Sequence, residues 1–456
     1  MMLKSINPSN YRVLGEVEVS SQRDVINAIE FSRFVQTDWA NLGVTERVKI
    51  LRLALQEFET RKEEMIRLES QEMGKPITTA ASDFNDALFF ANWYLDNAEE
   101  CLKPETTFEN ETEIHQVYRE PLGVTAVIIP WNYPFLMFIW TAFPNLIAGN
   151  TVVLKHSEET PLCGKFIEEV MKKILPASVF QEVYGDGSVG KMLVRENIDL
   201  IVFTGSTKTG KSLYKTAGKK FVRAVMEMGG SAPGIVFEDA YIDAAVKSVC
   251  FYRLTNAGQY CDGLKRLLVH KKIYNEVVEK IAKAFATTKV IPAADPTTEL
   301  GPLVSKHQLD LLMKQVEEAK TKGARIITGG HPLEQKLGGA FFQPTVLTDI
   351  SGYMKVWNEE VFGPVLPIIE FYDENHVIQL ANQTPYGLGG YVYTTDMERA
   401  ERVASQLQTG MVSINGTNYT TPWNPFGGYK NSGIGREHGK WGFHELTQTK
   451  VIAKLK

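Results

Sequence analysis

LIVFTGSTKTGKS, residues 200–212, is the stretch that decides the fold. It runs from a short apolar segment through Gly205 into a segment with helical spacing. A strand that turns on a glycine into a helix presents the N–H groups at the start of that helix to a phosphate. The stretch therefore predicts an α/β fold with a phosphate site, and it leaves open which nucleotide carries the phosphate.

The same alternation of strand-like and helix-like segments continues on both sides of this stretch. Apolar runs typical of buried strands occupy residues 124–129, 151–155, 182–185, 200–205 and 233–239, and helical patterns occupy 161–174 and 208–217. Strand, helix and strand in succession predict a parallel sheet that is covered by helices on both faces, which is the doubly wound type.

A second round of alternation predicts a second domain. Its segments are residues 266–270, 274–286, 308–322, 324–330, 365–371 and 411–415, and a helical lead-in at 44–73 and 83–101 precedes the first round. We place the boundary near Gly229 and Gly230, which gives one domain from 1–105 and 122–229 and another from 230–430. Residues 112–120 and 447–455 alternate apolar and polar side chains, so we expect 106–121 and 440–456 to form a small β arm.

Composition excludes several classes of function. The 456 residues carry a net charge of -5, which disfavours binding to a nucleic acid backbone. No run of 18 apolar residues is present and the N-terminus does not resemble a signal peptide, so we expect no membrane span and a cytoplasmic location. The four cysteines are scattered, without a C-x-x-C pair, so we expect no metal site.

Residues 205–212 also fit the phosphate loop of nucleoside triphosphatases letter for letter. In that hypothesis Lys211 binds the phosphates, and Asp239 at the end of an apolar run binds magnesium. An ATPase is therefore an alternative at this point.

The segment NAGQYCDG, residues 256–263, points to different chemistry. Cys261 lies between Gly258 and Gly263, where the backbone can form a tight and open turn. Most single cysteines are small buried side chains. Cys250 and Cys163 fit that description, whereas the surroundings of Cys261 favour an accessible thiol.

Six motifs, in order along the chain, resemble those of the aldehyde dehydrogenase superfamily. They are PWNYP (130–134), FTGSTKTG (203–210), EMGGSAP (227–233), GQYC (258–261), EEVFGPV (359–365) and NPFGGYKNSGIGRE (424–437). One such match is weak evidence, but six in the same order are specific. The resemblance implies a Rossmann-like cofactor domain, a catalytic domain, and an arm that joins subunits into a homodimer or homotetramer.

The resemblance also implies a mechanism. Cys261 is the nucleophile, the Asn132 amide and the Cys261 N–H stabilise the oxyanion, and Glu227 activates the water that hydrolyses the thioester. Relatives that pass the acyl group to coenzyme A generally lack this glutamate, so its presence favours hydrolysis by water. All three residues are present, which argues against a non-enzymatic descendant of the family.

The cofactor contacts that the resemblance implies are Trp131, Lys155, Glu158, Gly205, Ser206, Gly229, Glu360 and Phe362. A carboxylate near the adenosine ribose accepts hydrogen bonds from its hydroxyl groups and repels a 2′-phosphate. We therefore expect NAD as the cofactor, with NADP as an alternative.

For the substrate, the EMGGS segment and the short N-terminus resemble the short bacterial succinate-semialdehyde dehydrogenases. Enzymes for that substrate usually have arginines where this chain has Trp140 and Thr255. We therefore expect an uncharged pocket for an apolar or aromatic aldehyde, with succinate semialdehyde as the alternative and Lys265 or Arg253 as the compensating cation. The expected pocket residues are Tyr133, Trp140, Thr255, Tyr260, Thr421, Trp423 and Phe426.

Overall fold

The computed structural model describes every residue from Met1 to Lys456, and its fold is α/β as the sequence predicts. The strands are β1 (Met2–Ile6), β2 (Val13–Glu18), β3 (Glu105–Glu109), β4 (Glu113–Pro121), β5 (Val124–Ile128), β6 (Thr151–Lys155), β7 (Phe180–Glu182), β8 (Leu200–Thr204), β9 (Arg223–Glu227), β10 (Ala232–Val236), β11 (Leu264–His270), β12 (Arg325–Thr328), β13 (Thr345–Thr348), β14 (Val365–Phe371), β15 (Tyr386–Gly387), β16 (Tyr391–Tyr393), β17 (Ser413–Ile414), β18 (Tyr429–Lys430), β19 (Gly433–Ile434) and β20 (Thr447–Leu455).

The helices are α1 (Gln22–Asn41), α2 (Val44–Thr60), α3 (Lys62–Met73), α4 (Ile77–Leu102), α5 (Pro134–Ala148), α6 (Pro161–Ile174), α7 (Gly187–Leu193), α8 (Thr207–Lys220), α9 (Ile242–Leu254), α10 (Tyr274–Thr287), α11 (Lys306–Thr321), α12 (Glu334–Leu337), α13 (Lys355–Asn358), α14 (Glu374–Asn382), α15 (Met397–Gln406) and α16 (Gly439–Glu445). None of these helices has the length and apolar character needed to cross a lipid bilayer.

The first large sheet has six strands in the order β19-β9-β8-β5-β6-β7. All neighbours pair in parallel except β19, which runs antiparallel to β9 at one edge. Strands β5, β6 and β8 are buried along their whole length, because helices cover both faces of the sheet. The expected strand at 182–185 instead ends at Glu182, since the backbone then turns through Gly185, which has a φ of 148°.

The second large sheet has seven strands in the order β12-β13-β14-β11-β10-β16-β17. Only β12 pairs antiparallel, with β13 at the edge. The chain passes from β9 of the first sheet to β10 of the second through the short segment after Glu227, and it returns to the first sheet at β19.

A separate three-stranded antiparallel sheet has the order β20-β4-β3, and the nine residues of β20 all pair with β4. Every residue of β20 after Thr447 is exposed. The expectation of strand from residue 440 onward is wrong for 439–445, which form α16. The reason is packing, because Phe443 on α16 joins the largest apolar core.

Helix α5 connects the fold to the site. All its residues are buried, and it begins at Pro134, directly after the PWNY segment. Proline at the first position of a helix fixes φ and needs no N–H partner. Helix α4 packs along α5, and one face of α4 lines the same cavity as Trp140 of α5.

Candidate active site

A cleft of about 1310 Å³ lies between the two large sheets, where the segments that follow several of their strands converge. In open α/β sheets, ligands bind beyond the carboxyl ends of the strands. The cleft is lined by parts of residues 130–133, 204–206, 227–229, 255–262 and 360–362, together with one face of α4. The structure thus brings at least part of all six sequence motifs to one place. The last motif reaches the cleft through Phe426.

Cys261 lies in this cleft and is partly exposed. Its Sγ is 3.9 Å from Oδ1 of Asp262. Burial raises the pKa of the Cys261 thiol well above its usual value and the Asp262 charge adds to that, while Lys265 acts in the opposite direction. The resting group is therefore a neutral thiol that must lose a proton before it can act as a nucleophile.

Asn132 is buried against the turn that carries Cys261. The side-chain Nδ2 of Asn132 donates to the backbone carbonyl of Gln259 at 2.9 Å. The backbone carbonyl of Asn132 accepts from Nδ2 of Asn256 at 3.0 Å. The N–H of Cys261 donates to no backbone or side-chain acceptor. The Asn132 amide and a free N–H on the turn that it contacts are suited to hold an oxygen that gains negative charge.

Glu227, the last residue of β9, has a buried carboxylate in which neither oxygen has a hydrogen-bond partner. A Cβ at Gly427 would lie 2.8 Å from its Oε1, so glycine backbone packs directly against the carboxylate. Burial, followed by the charge of Glu437, raises the pKa of Glu227 well above the usual range for a carboxyl group. A carboxyl group in this environment is a general base only at elevated pH or after a change in its surroundings.

The turn beside Glu227 has features that fit a dinucleotide, and the Gly205 N–H donates to the Glu227 carbonyl at 2.9 Å. Gly205 and Ser206 border the cleft at the start of α8, where the Ser206 side chain caps the helix by accepting from the Thr209 N–H at 3.3 Å. A Cβ at Gly205 would lie 2.7 Å from the Phe203 ring, so the tight turn requires glycine. The buried hydroxyl of Thr204 has no partner, which leaves a polar group for a ligand.

The cleft is also lined by a cluster of two aromatic rings, a glycine and a carboxylate, namely Trp131, Phe362, Gly229 and Glu360. The rings of Trp131 and Phe362 meet edge to face at 5.5 Å. Glu360 accepts from the Gly230 N–H at 3.1 Å and forms an ion pair with Lys265. A Cβ on Gly229 would collide with the Glu360 carboxylate, so the two are in direct contact.

Lys155 and Glu158 lie at the carboxyl end of β6 and form an ion pair of 3.2 Å. Lys155 is buried, whereas the Glu158 side chain is about half exposed. Neither residue lines the cleft itself. The structure therefore places them at the same sheet edge as the cleft but outside its walls.

Six of the seven expected pocket residues line the cleft, namely Tyr133, Trp140, Thr255, Tyr260, Thr421 and Phe426. Trp423 does not, and its expected role is corrected here: it is 48% exposed and packs on the outer side of Phe89, at 5.9 Å. The indole therefore contacts the cleft only through Phe89, which is one of its lining residues.

The expectation of an uncharged pocket is wrong. The cleft contains the carboxylates of Asp83, Asp86, Glu227, Asp262, Glu299 and Glu360 and no lysine, arginine or histidine. The two candidate cations are engaged elsewhere, since Lys265 pairs with Glu360 and Arg253 donates to backbone carbonyls. Asp83 is bound on one side by the buried Lys75.

Sequence reasoning missed the contribution of α4. Its cleft-lining residues are Thr78, Thr79, Ser82, Asp83, Asp86, Phe89 and Phe90. Their spacing of three and four residues is that of one helix face, and it was available in the sequence. The signal was a helix face on which two acidic residues, Asp83 and Asp86, lie between hydroxyl residues on one side and two phenylalanines on the other.

The ATPase hypothesis loses its magnesium ligand. Asp239 follows β10 in the second sheet, where its carboxylate accepts from Thr394, Thr395 and the Asp396 N–H. Lys211 is exposed on α8 and does not line the cleft. The glycine turn therefore stands without the other parts that ATP hydrolysis requires.

Comparison with known proteins identifies the family. The model of the aldehyde dehydrogenase family matches residues 1–452. The chain is 36% identical to a peroxisomal aminoaldehyde dehydrogenase of Pisum sativum, over 99% of this chain and 92% of the relative, and 36% identical to a chloroplastic betaine aldehyde dehydrogenase of Beta vulgaris, over 98% and 92%.

Solved structures agree with this assignment. A betaine aldehyde dehydrogenase of Staphylococcus aureus in complex with NAD+ superposes with a TM-score of 0.96 at 33% identity, covering 99% of this chain and 91% of that one. An NAD+ complex of an aldehyde dehydrogenase from Bacillus cereus gives 0.96 at 32% identity, covering 100% and 93%. The chain belongs to the aldehyde dehydrogenase family and is an NAD-dependent aldehyde dehydrogenase.

Proposed function

We propose that this enzyme oxidises an aldehyde with a positively charged group, such as an ω-amino aldehyde, to the carboxylic acid. The observation that carries the proposal is the charge of the cleft, which has six carboxylates and no basic side chain. A cation in such a site is attracted by those carboxylates that are ionised, whereas an anion is repelled by them.

The chemistry begins at Cys261. After losing its proton, Sγ attacks the aldehyde carbon and forms a thiohemiacetal, whose oxygen accepts hydrogen bonds from the Asn132 amide and the Cys261 N–H. Bound NAD+ supplies the hydride acceptor. Loss of hydride from the carbon that carries this oxyanion leaves a thioester on Sγ.

Glu227 then acts in hydrolysis. Its ionised carboxylate takes a proton from water, the resulting hydroxide attacks the thioester carbon, and the C–S bond breaks to release the acid and the Cys261 thiolate. Both oxygens of Glu227 are free to accept this proton. The overall balance is aldehyde, NAD+ and water to carboxylate, NADH and two protons.

Substrate recognition follows from α4 and the aromatic walls. Asp86 is exposed on the cleft face of α4, whereas Asp83 is buried one turn earlier, near enough to Tyr133 for its charge to raise the pKa of that hydroxyl. The rings of Trp140, Phe90 and Phe426 provide faces against which an ammonium or alkylammonium group is stabilised. The names of the pea and beet relatives, which refer to aminoaldehydes and betaine aldehyde, support the same substrate class.

The two earlier substrate hypotheses fit less well. An apolar aldehyde uses the aromatic walls but gains nothing from Asp83 and Asp86. Succinate semialdehyde brings a carboxylate into an acidic cleft, in which Lys265 and Arg253 are not available to pair with it.

A panel of aldehydes of similar size tests the proposal. We expect kcat/KM with NAD+ to fall in the order 4-aminobutanal or betaine aldehyde, then pentanal or benzaldehyde, then succinate semialdehyde. Preference for benzaldehyde or succinate semialdehyde over both cations would refute the proposed substrate class while leaving the aldehyde dehydrogenase activity in place.

Two further proposals concern cofactor and assembly. Glu158 favours NAD over NADP because its carboxylate repels a 2′-phosphate. The exposed β20, with Val451, Ile452 and Leu455 uncovered, is proposed to pair with a second copy of the chain. Size-exclusion chromatography with light scattering tests this, and a monomer at micromolar concentration contradicts it.

The cytoplasmic location stays a prediction, since the pea and beet relatives are named peroxisomal and chloroplastic.

A further inference from the structure

Arg253 lies at the C-terminal end of α9 and is completely buried, yet it has no carboxylate partner. Its guanidinium donates to four backbone carbonyls instead. Nη1 donates to Leu264 at 3.1 Å, and Nη2 is shared by Gly258 at 3.2 Å, Val361 at 3.3 Å and Gly363. Burial lowers the pKa of Arg253 to about 10, so the group keeps its charge at neutral pH.

The four acceptors belong to segments on both sides of the reactive centre. Gly258 lies three residues before Cys261 and Leu264 three residues after it. Val361 and Gly363 flank Phe362 in the segment 360–363, called here the 360 loop. One side chain therefore connects the turn of the nucleophile with the loop that carries Glu360 and Phe362.

The turn before Cys261 needs such support. Asn256, Ala257 and Gly258 are consecutive residues in the left-handed region, with φ values of 52°, 52° and 73°. That conformation costs a non-glycine residue on the order of 1–2 kcal/mol and persists only where the surroundings hold it. A Cβ on Gly258 would collide with both Nη2 of Arg253 and the Gly363 carbonyl, so turn, guanidinium and loop touch without space between them.

We propose that Arg253 is a positioning residue that couples cofactor binding at the 360 loop to the reactivity of the Cys261 thiol. This rests on the proposed contact of Glu360 and Phe362 with the cofactor. Because a single Nη2 serves carbonyls of both segments, a shift of the loop changes the hydrogen bond to Gly258. The change is passed along three residues to Cys261.

The test is the alkylation rate of Cys261 by iodoacetamide, followed by peptide mass spectrometry so that the other cysteines are resolved. The ratio of rates with and without saturating NAD+ measures the coupling, and calorimetry confirms that NAD+ is bound. In the wild type we expect this ratio to differ from one by about fivefold or more, the lower end of common coupling strengths. In Arg253→Lys, which keeps the positive charge but cannot bridge both segments, we expect less than about twofold.

Arg266 provides a matched control. It is also a buried arginine that donates only to carbonyls, those of Ser231, Leu380 and Ala381, and none of these lies in the turn or the 360 loop. Arg266→Lys should leave the ratio unchanged. If Arg253→Lys does not fold, Arg253→Gln, which keeps one amide nitrogen in place of the guanidinium, should lower the ratio in the same way, with Arg266→Gln as its control.

Two results overturn the proposal. One is a wild-type ratio within about twofold of one while calorimetry shows NAD+ bound. The other is an equal loss of coupling in Arg253→Lys and Arg266→Lys, because a merely structural arginine has that effect. Absence of NAD+ binding in the wild type would instead refute the cofactor site, and this inference with it. None of these readouts depends on the identity of the aldehyde.

Discussion

Asp86→Asn removes one negative charge from the mouth of the cleft and keeps the shape of the side chain. Two unit charges about 4 Å apart attract by about 1 kcal/mol in water and about 4 kcal/mol at an effective dielectric constant of 20. Because Asp86 is exposed, the lower value applies. A loss of about 1 kcal/mol corresponds to about a fivefold lower kcat/KM for a cationic aldehyde.

The assay compares kcat/KM for 4-aminobutanal and for pentanal, from the appearance of NADH. We expect the fivefold loss with the amine only, and a smaller difference between wild type and variant in high salt, which screens the charge. Asp96→Asn is the control, because Asp96 lies on the same helix, is exposed, and pairs with Arg52 outside the cleft. An equal loss for both aldehydes, or the same effect from Asp96→Asn, would refute the charge argument.

Three other variants test neighbouring parts of the site. Glu158→Ser should raise the NADP to NAD ratio of kcat/KM by about tenfold, because it removes the repulsive charge and frees Lys155, and an unchanged ratio counts against the assignment. Lys265→Met removes the positive charge that opposes the raised pKa of Cys261, so the pH profile of Cys261 alkylation should move to higher pH; a move to lower pH contradicts this. Burial raises the pKa of Glu437 to about 8, so the protonated group stabilises the fold at low pH and this stabilisation is lost as pH rises through that value. The Tm of Glu437→Gln, relative to wild type, should therefore be higher at pH 9 than at pH 6 in calorimetry, and a difference independent of pH would show that Glu437 is not the titrating group.

The fold was predictable because its signals are local. Each buried strand of the first sheet reads as a short apolar run, and the glycine turn at Gly205 marks where β8 passes into α8. The edge strands were harder to predict. β12 and β19 run antiparallel, and nothing in a four- or two-residue segment records the direction of its neighbour.

The proposed catalytic residues were chosen through motifs, whereas the charge of the pocket was not predicted. Asp83 and Asp86 lie on α4, about fifty residues before the nearest motif residue, and only packing of α4 on α5 brings them to the cleft. The same limit applies to Arg253 and Lys265. Their sequence positions suggested substrate contacts, but Lys265 pairs with Glu360 and Arg253 donates in part to the carbonyls of Val361 and Gly363, all of which are more than ninety residues away along the chain. Trp423 was misplaced because proximity in sequence to Phe426 does not show which side of the wall a ring contacts.

The central claim is that Cys261 carries the acyl group until water, activated by Glu227, removes it. The most direct measurement is intact-protein and peptide mass spectrometry of Glu227→Gln, quenched in acid after mixing with aldehyde and NAD+. We expect a burst of NADH and an acyl adduct on the peptide that contains Cys261, with slow steady turnover and no adduct in Cys261→Ala. An adduct on another residue, or aldehyde oxidation retained in Cys261→Ala, would contradict it.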